Sequence, residues 1–206
     1  MADGDLASVA GPLLGFVHSF SVSDYHRMAE AGILSGAGRI ELIEGVVVRM
    51  SPVGPKHFAV TLRLDRLLRA AVAGRATVSV QGPIRMAPRS EPEPDLAVLR
   101  PRPDDYEGGL PVPADVLLLV EVADTTLARD RDVKAPLYAQ HNVPEFWLFD
   151  VGAREVLVHR SPVPDEGRYR RVERAGVGAM LVVEALPGAV VTVADVFGAG
   201  PAMSGA

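Results

Sequence analysis

Three residues carry most of the chemistry open to this chain: Glu121, Asp95 and Lys134. Glu121 interrupts the otherwise apolar run Val116-Leu117-Leu118-Leu119-Val120-Glu121-Val122. A carboxylate in such a run is expected to be buried, and burying an unpaired charge is costly. Burial therefore implies a partner: a metal ion, a Lys or Arg, or a proton. The plainer alternative is a strand end open to solvent, or a structural ion pair. Asp95 follows Pro94 at the head of Leu96-Ala97-Val98-Leu99. Proline suits the first residue of a strand, and an aspartate beside it serves a turn as readily as a site. Lys134 falls near the start of the helix after the Glu121 strand, where a cation is a mild misfit with the helix dipole. It and Lys56 are the only lysines, against 19 arginines. An ammonium can shift its pKa on burial and a guanidinium cannot, although a solvated lysine would also account for the residue taken alone.

Together the three suit divalent-metal phosphoryl chemistry. Hard oxygen donors fit Mg²⁺, with Mn²⁺ as a possible substitute, because Mg²⁺ keeps several waters and needs only one or two carboxylates. A bound metal lowers the pKa of its water and offsets phosphate charge. The lysine can orient that water or stabilise the transition state.

The elements that must position these groups can be read from the pattern. Ser21 and Asp24 stand at capping-box spacing and start a short helix to about Ala31, with Gly32 as its stop. Arg39 to Met50 is rich in β-formers and reads as a hairpin turning near Glu44-Gly45. Lys56 to Ala73 is the clearest helix, with Val60, Leu64, Leu67 and Ala71 at helical spacing and Gly74 beyond its end. Arg63, Arg66 and Arg69 drift around its outer face, as a solvated surface or a phosphate-binding stripe. Strands are expected at Thr77 to Gln81, Ile84 to Met86, Leu96 to Leu99, Val116 to Val122 and Glu145 to Phe149. A helix is expected over Asp130 to Gln140, and short strands at Val156 to His159, Tyr169 to Val172, Leu181 to Val183 and Val190 to Val193. Arg100 to Pro113 is a Pro/Asp/Gly-rich loop. The order predicts an α+β (mixed α/β) fold around a central sheet: a loose lead-in over 1–18, one domain over 19–197 and a frayed tail over 198–206.

Composition narrows the class. The chain has 206 residues, 48% apolar and 23% charged, with 21 basic against 26 acidic residues and a formal charge of -5. Those values fit a globular domain and exclude collagenous or low-complexity chains. With no cysteine, disulfides, thiolate zinc sites and thiol nucleophiles are excluded. No apolar run approaches the ~20 residues of a membrane span, and the acidic start Met1-Ala2-Asp3-Gly4-Asp5 lacks a signal peptide's basic head. The expectation is a cytoplasmic protein without membrane contact.

Several stretches carry a resemblance. They are Glu41-Leu42-Ile43-Glu44-Gly45-Val46-Val47, Ser51-Pro52 followed by His57, Pro94-Asp95-Leu96-Ala97-Val98, Leu119-Val120-Glu121-Val122, Asp132-Val133-Lys134 with Tyr138, and Val143-Pro144-Glu145-Phe146-Trp147-Leu148-Phe149-Asp150. In this order they resemble the PD-(D/E)XK nuclease superfamily and, within it, the Uma-two restriction endonuclease family, over residues 20 to 197. The resemblance implies a restriction endonuclease-like fold, a mixed sheet flanked by helices, often in a homodimer. It implies Asp95 and Glu121 as metal ligands, the Val122 carbonyl as a further ligand, and Lys134 as the motif's lysine. The triplet departs from the superfamily, because its third position is Ala123; Lys134 from the following helix fits as the replacement. Asp124-Thr125-Thr126 stands where the family commonly has a Ser-Pro-Ser-like stretch.

Glu41 and Glu44 compete for one added acidic role. Residues three apart on a strand face opposite sides, Glu44-Gly45 reads as a turn, and the family pattern favours Glu41. His57 begins the long helix and could touch a phosphate or serve a capping or packing role. Asp150, at the end of its strand, reads as a turn or cap residue.

The leading expectation is a Mg²⁺-dependent DNA endonuclease. Its weak point is charge, since DNA binding is largely phosphate neutralisation by Lys and Arg and the chain is acidic. Local basic clusters could serve: Arg63, Arg66 and Arg69; Arg100 and Arg102; Arg129 and Arg131; Arg168, Arg170, Arg171 and Arg174. A non-catalytic dimeric binding module on the same fold and a small-phosphoester hydrolase are the alternatives.

Overall fold

The computed structural model describes residues 17–86 and 88–198. The lead-in up to residue 16 and the tail beyond 198 lie outside the described residues. The described residues form two compact units, 17–50 with 88–91, and 51–86 with 92–198. The boundary between them falls inside the span read from sequence as one domain.

The first unit holds helix α1 (Val22–Glu30) and the hairpin β1 (Ile40–Ile43) and β2 (Val46–Arg49). Ser21 caps α1 as its spacing predicts: its hydroxyl accepts from the Asp24 N–H, and the Asp24 carboxylate accepts from the Ser21 N–H. The hairpin pairs Ile43 with Val46 across Glu44 and Gly45. Both turn residues have positive φ, 49° and 81°, as a type I′ turn requires.

The second unit is built on a six-stranded sheet in the order β3-β4-β5-β6-β7-β8. Its strands are β3 (Thr77–Val80), β4 (Leu96–Leu99), β5 (Val116–Ala123), β6 (Glu145–Asp150), β7 (Glu155–Val163) and β8 (Arg168–Ala175). β5 and β6 are parallel and every other adjacent pair is antiparallel, so the sheet is mixed. Helix α2 (Pro55–Val72) precedes it. The β5–β6 crossover is α3 (Leu127–Arg129), a π-helical turn over Asp130–Lys134, and α4 (Ala135–Gln140). A hairpin of β9 (Met180–Val182) and β10 (Val190–Thr192) leads into α5 (Val193–Phe197). The expected fold class, a central mixed sheet flanked by helices, is the observed one.

Burial explains why β5 reads as a continuous apolar run. All eight of its residues are buried, because both faces of the strand are covered. Leu118, Val120 and Val122 share one cluster with Val60, Leu64, Leu68 and Val72 of α2. Glu121 alternates with them and therefore faces the opposite side, where it meets the crossover helix. On α2 the buried row is Val60, Leu64, Leu68 and Val72; Leu67 and Ala71, read from sequence at helical spacing, pack only at its margin.

Three expectations are corrected. Ile84 to Met86 is no strand, although Ile84 and Met86 are fully buried; a short apolar run reports burial, not ladder pairing. The helix expected to begin at Asp130 begins at Leu127 and passes through a π turn. Val193 does not end a strand but starts α5, a helix of five residues and too short to show a helical period.

Candidate functional site

Asp95 and Glu121 are brought together by strand register. β4 and β5 are antiparallel, with Leu96 opposite Val120. Asp95 directly precedes Leu96 and Glu121 directly follows Val120, so the two acids occupy adjoining positions at one end of the pair. A direct bond confirms it: the Val122 N–H donates to Asp95 Oδ2 at 2.8 Å. The N–H and C=O of an extended residue point to the same edge of its strand, so the Val122 carbonyl also faces the Asp95 side.

Each acid has a specific partner. Glu121 Oε1 accepts from Lys134 Nζ at 2.8 Å and from the Tyr138 hydroxyl at 2.7 Å. Lys134 and Tyr138 stand four apart along the crossover helix, the spacing that puts two side chains on one face. Lys134 is 1% exposed, Glu121 3% and Asp95 5%. A buried charge is tolerated only with a partner, and here the partner is the cation named from the sequence. His57, on the first turn of α2, places Nε2 3.0 Å from Asp95 Oδ1. Of the alternatives left open for His57, this contact makes it a neighbour of the acid pair.

Sequence reasoning passed over Asp130. It is 2% exposed and opens the π turn that ends at Lys134. Its Oδ2 accepts from the Thr126 hydroxyl at 2.5 Å. Burial holds its carboxyl above the usual aspartate range, and the Asp95 charge adds to that, while Lys134 opposes it. Spacing could have found it, since Asp130, Lys134 and Tyr138 recur every four residues; the π turn has no such signal. π turns inside helices are frequent at functional sites.

Glu41 and Glu44 lie in the first unit. Glu41 is buried on β1 opposite Val48. Glu44 is a turn residue, as read, and its Oε1 accepts from the Ser90 hydroxyl at 3.0 Å. Asp150 Oδ1 accepts from the Ala153 N–H at 2.9 Å, a turn role as expected.

The arginine clusters are largely matched by acids. Arg102 pairs with Asp104 and Arg131 with Asp132, both at 2.7 Å, and Arg171 with Glu173 at 3.0 Å. Arg168 pairs with Glu166 and Arg174 with Glu155. On α2, Arg69 pairs with Asp65, and Arg63 donates to the Phe197 carbonyl. Surface pairs of this kind are worth little, so a phosphate can displace the acid at small cost.

No group of three or more His, Cys, Asp or Glu side chains is set to hold a metal among the described residues. The donor set at the site is instead two carboxylates and a main-chain carbonyl. All three are hard oxygens, and the set matches the few protein ligands Mg²⁺ needs. No helix among the described residues is long and apolar enough to cross a membrane.

Comparison with known proteins agrees with the fold. The chain is similar in fold to the crystal structure of a putative nuclease of the DUF820 group from Anabaena variabilis ATCC 29413. The TM-score is 0.66 at 17% identity, covering 86% of this chain and 97% of that one. At that identity the likeness speaks for the fold. No curated protein matches the chain. The model of the family Uma2, described as "Putative restriction endonuclease", matches residues 22–194, and the chain belongs to that family.

Proposed function

We propose that the protein is a Mg²⁺-dependent endonuclease that hydrolyses DNA phosphodiester bonds, with Asp95, Glu121 and the Val122 carbonyl as metal ligands. Family membership supports a nuclease. The observation that carries the residue assignment is the buried Lys134 ammonium, 2.8 Å from Glu121 and beside Asp95's strand end. Two acids and a lysine at one strand end are the parts that phosphodiester hydrolysis needs, and Lys134 supplies what Ala123 lacks.

When bound, Mg²⁺ would activate a water and offset charge on the phosphate. The chain's own groups divide the remaining work. Lys134, held at Glu121, would orient the attacking water or balance charge on the phosphate. Tyr138 shares Glu121 Oε1 and fixes the carboxylate's orientation. The Val122 N–H holds Asp95 Oδ2, and His57 Nε2 lies 3.0 Å from Oδ1. Glu41 belongs to the other unit, and the proposed set is drawn from residues 92–206 with His57.

Cleavage of supercoiled plasmid is the test. Wild type should nick it with Mg²⁺ or Mn²⁺ and not with EDTA, and Asp95→Asn should lose both nicking and Mn²⁺ binding followed by electron paramagnetic resonance. Wild-type-level nicking by Asp95→Asn would remove Asp95 from the site.

A further inference from the structure

Helix α2 carries two large apolar side chains in the open. Phe58 is 61% exposed and Leu62 59%, and four-residue spacing puts them side by side. Val80, at the end of β3, is also exposed. These three bound a cavity of about 130 Å³ together with His57, Thr61 and Gln81. Sites for drug-sized ligands run to roughly 300 Å³ or more, so this one suits a single flat ring system. Its one acid, Asp65, is already paired with Arg69 at 2.7 Å.

The polar part of the wall is tied to the proposed metal site. His57 Nε2 lies 3.0 Å from Asp95 Oδ1. The Gln81 N–H donates to the Asp95 carbonyl at 3.0 Å. Gln81 adopts φ 51°, a left-handed conformation that costs a non-glycine residue energy. Strain of this kind persists where the surroundings demand it, and here it accompanies an amide in the cavity wall. Thr61 is buried, and its hydroxyl has no hydrogen-bond partner among the described residues. A helical threonine divides between two χ1 rotamers, so a rotation can bring that hydroxyl to a ligand.

We propose that this cavity seats one unstacked nucleobase of the substrate strand, next to the phosphate that Asp95 and Glu121 act on. The proposal rests on the nuclease reading. In a nucleic acid, the group covalently nearest a phosphate that also has a flat apolar face and a polar edge is the base. Phe58 supplies the stacking face, and Gln81 and Thr61 supply amide and hydroxyl groups for the edge. A base inside a duplex is stacked on both sides and cannot enter. The protein therefore favours single-stranded or locally melted DNA, as enzymes that extrude a base do.

The test is fluorescence anisotropy with a fluorescein-labelled single-stranded oligodeoxynucleotide and with the same strand in a blunt duplex, both in EDTA so that neither is cut. Phe58→Ala should weaken single-strand binding by about tenfold, the size of one lost base–aromatic stack. Phe58→Trp should restore it, and duplex binding should be unaffected by either change. Phe58 is exposed, so both variants should fold; circular dichroism checks this. Equal single-strand affinity for wild type and Phe58→Ala would overturn the proposal, and would leave the nuclease reading standing if Glu121→Gln still loses cleavage. Weakened single-strand binding by Phe58→Ala in a protein that cleaves nothing would keep the cavity and remove the nuclease reading. Light scattering in which Phe58→Ala alone turns a dimer into a monomer would assign the face to a second copy and overturn the proposal.

Discussion

Adjacent parallel strands bury one glutamate each, Glu121 on β5 and Glu145 on β6, and both are paired with a cation. Their surroundings differ. Glu145 Oε1 accepts from Trp147 Nε1 and Arg160 Nε, each at 2.8 Å, and Oε2 accepts from the Glu184 N–H at 2.8 Å. Three donors from three parts of the chain lock that carboxylate against the arginine's fixed fork, while burial pushes its pKa up. Around Glu121 the cation is a lysine, a point charge on a flexible stem. A second buried acid, Asp95, stands at the same strand end, and Asp130 opens the helical turn that delivers Lys134. Clustered acids repel one another and weaken the fold, a cost in keeping with the site proposed above. An acid answered by three donors, with no second buried acid beside it among the described residues, has the contacts of a strut. Burial and ion pairing alone do not separate the two cases; the company does.

The largest expected effect is on cleavage. Glu121→Gln and Asp95→Asn should bring metal-dependent plasmid nicking down to the no-enzyme level, with a folded far-UV circular dichroism spectrum. Removing one charge from a crowded acidic site offsets part of what the lost contacts cost. Next comes Lys134→Arg, which should lose most of its cleavage rate while still binding Mn²⁺, because a bulkier guanidinium cannot occupy a fully buried ammonium site. Normal cleavage by this variant would take Lys134 out of the mechanism.

Glu145→Gln should change stability instead. Leaving Arg160 without its charge partner and misplacing one donor should cost about 2 kcal/mol in urea unfolding, with cleavage per folded molecule unchanged. His159 gives a smaller, pH-dependent effect. It is stacked on Phe146 beside Tyr169, and burial lowers its pKa from 6.5. A depressed histidine is neutral in the fold and protonates more readily when unfolded. Its contribution is therefore present above pH 6.5 and lost as pH falls through the lower folded value. His159→Phe should flatten the fall in melting temperature across that acid range; an unchanged slope would place the acid sensitivity elsewhere. The smallest effect is at the surface pairs: Arg171→Ala should shift stability by less than about 0.5 kcal/mol.

Much of this contrast could be read in the sequence, and the parts that could not share a cause. Glu121 was legible because a charge in a continuous apolar strand needs an explanation, and Lys134 because a chain of arginines keeps so few lysines. The capping box at Ser21 and the turn at Glu44-Gly45 are local and came through intact. The Asp95–His57 contact joins residues 38 apart in the chain, and the bonds around Glu145 reach residues 160 and 184. Such pairings follow from how elements pack, which no local spacing encodes. Glu145 therefore read as an ordinary strand start. The π turn at Asp130 left no mark in the sequence, and only the four-residue spacing of Asp130, Lys134 and Tyr138 hinted that Asp130 faces the same side.

The central claim is that Glu121 is a working residue and Glu145 a structural one. Its most direct test is nicking of supercoiled plasmid in Mg²⁺ by Glu121→Gln and Glu145→Gln side by side, each normalised to folded protein, with wild type in EDTA as the blank. The account predicts wild-type nicking by the Glu145 variant and blank-level nicking by the Glu121 variant. Equal rates for the two, whether both active or both dead, would contradict it.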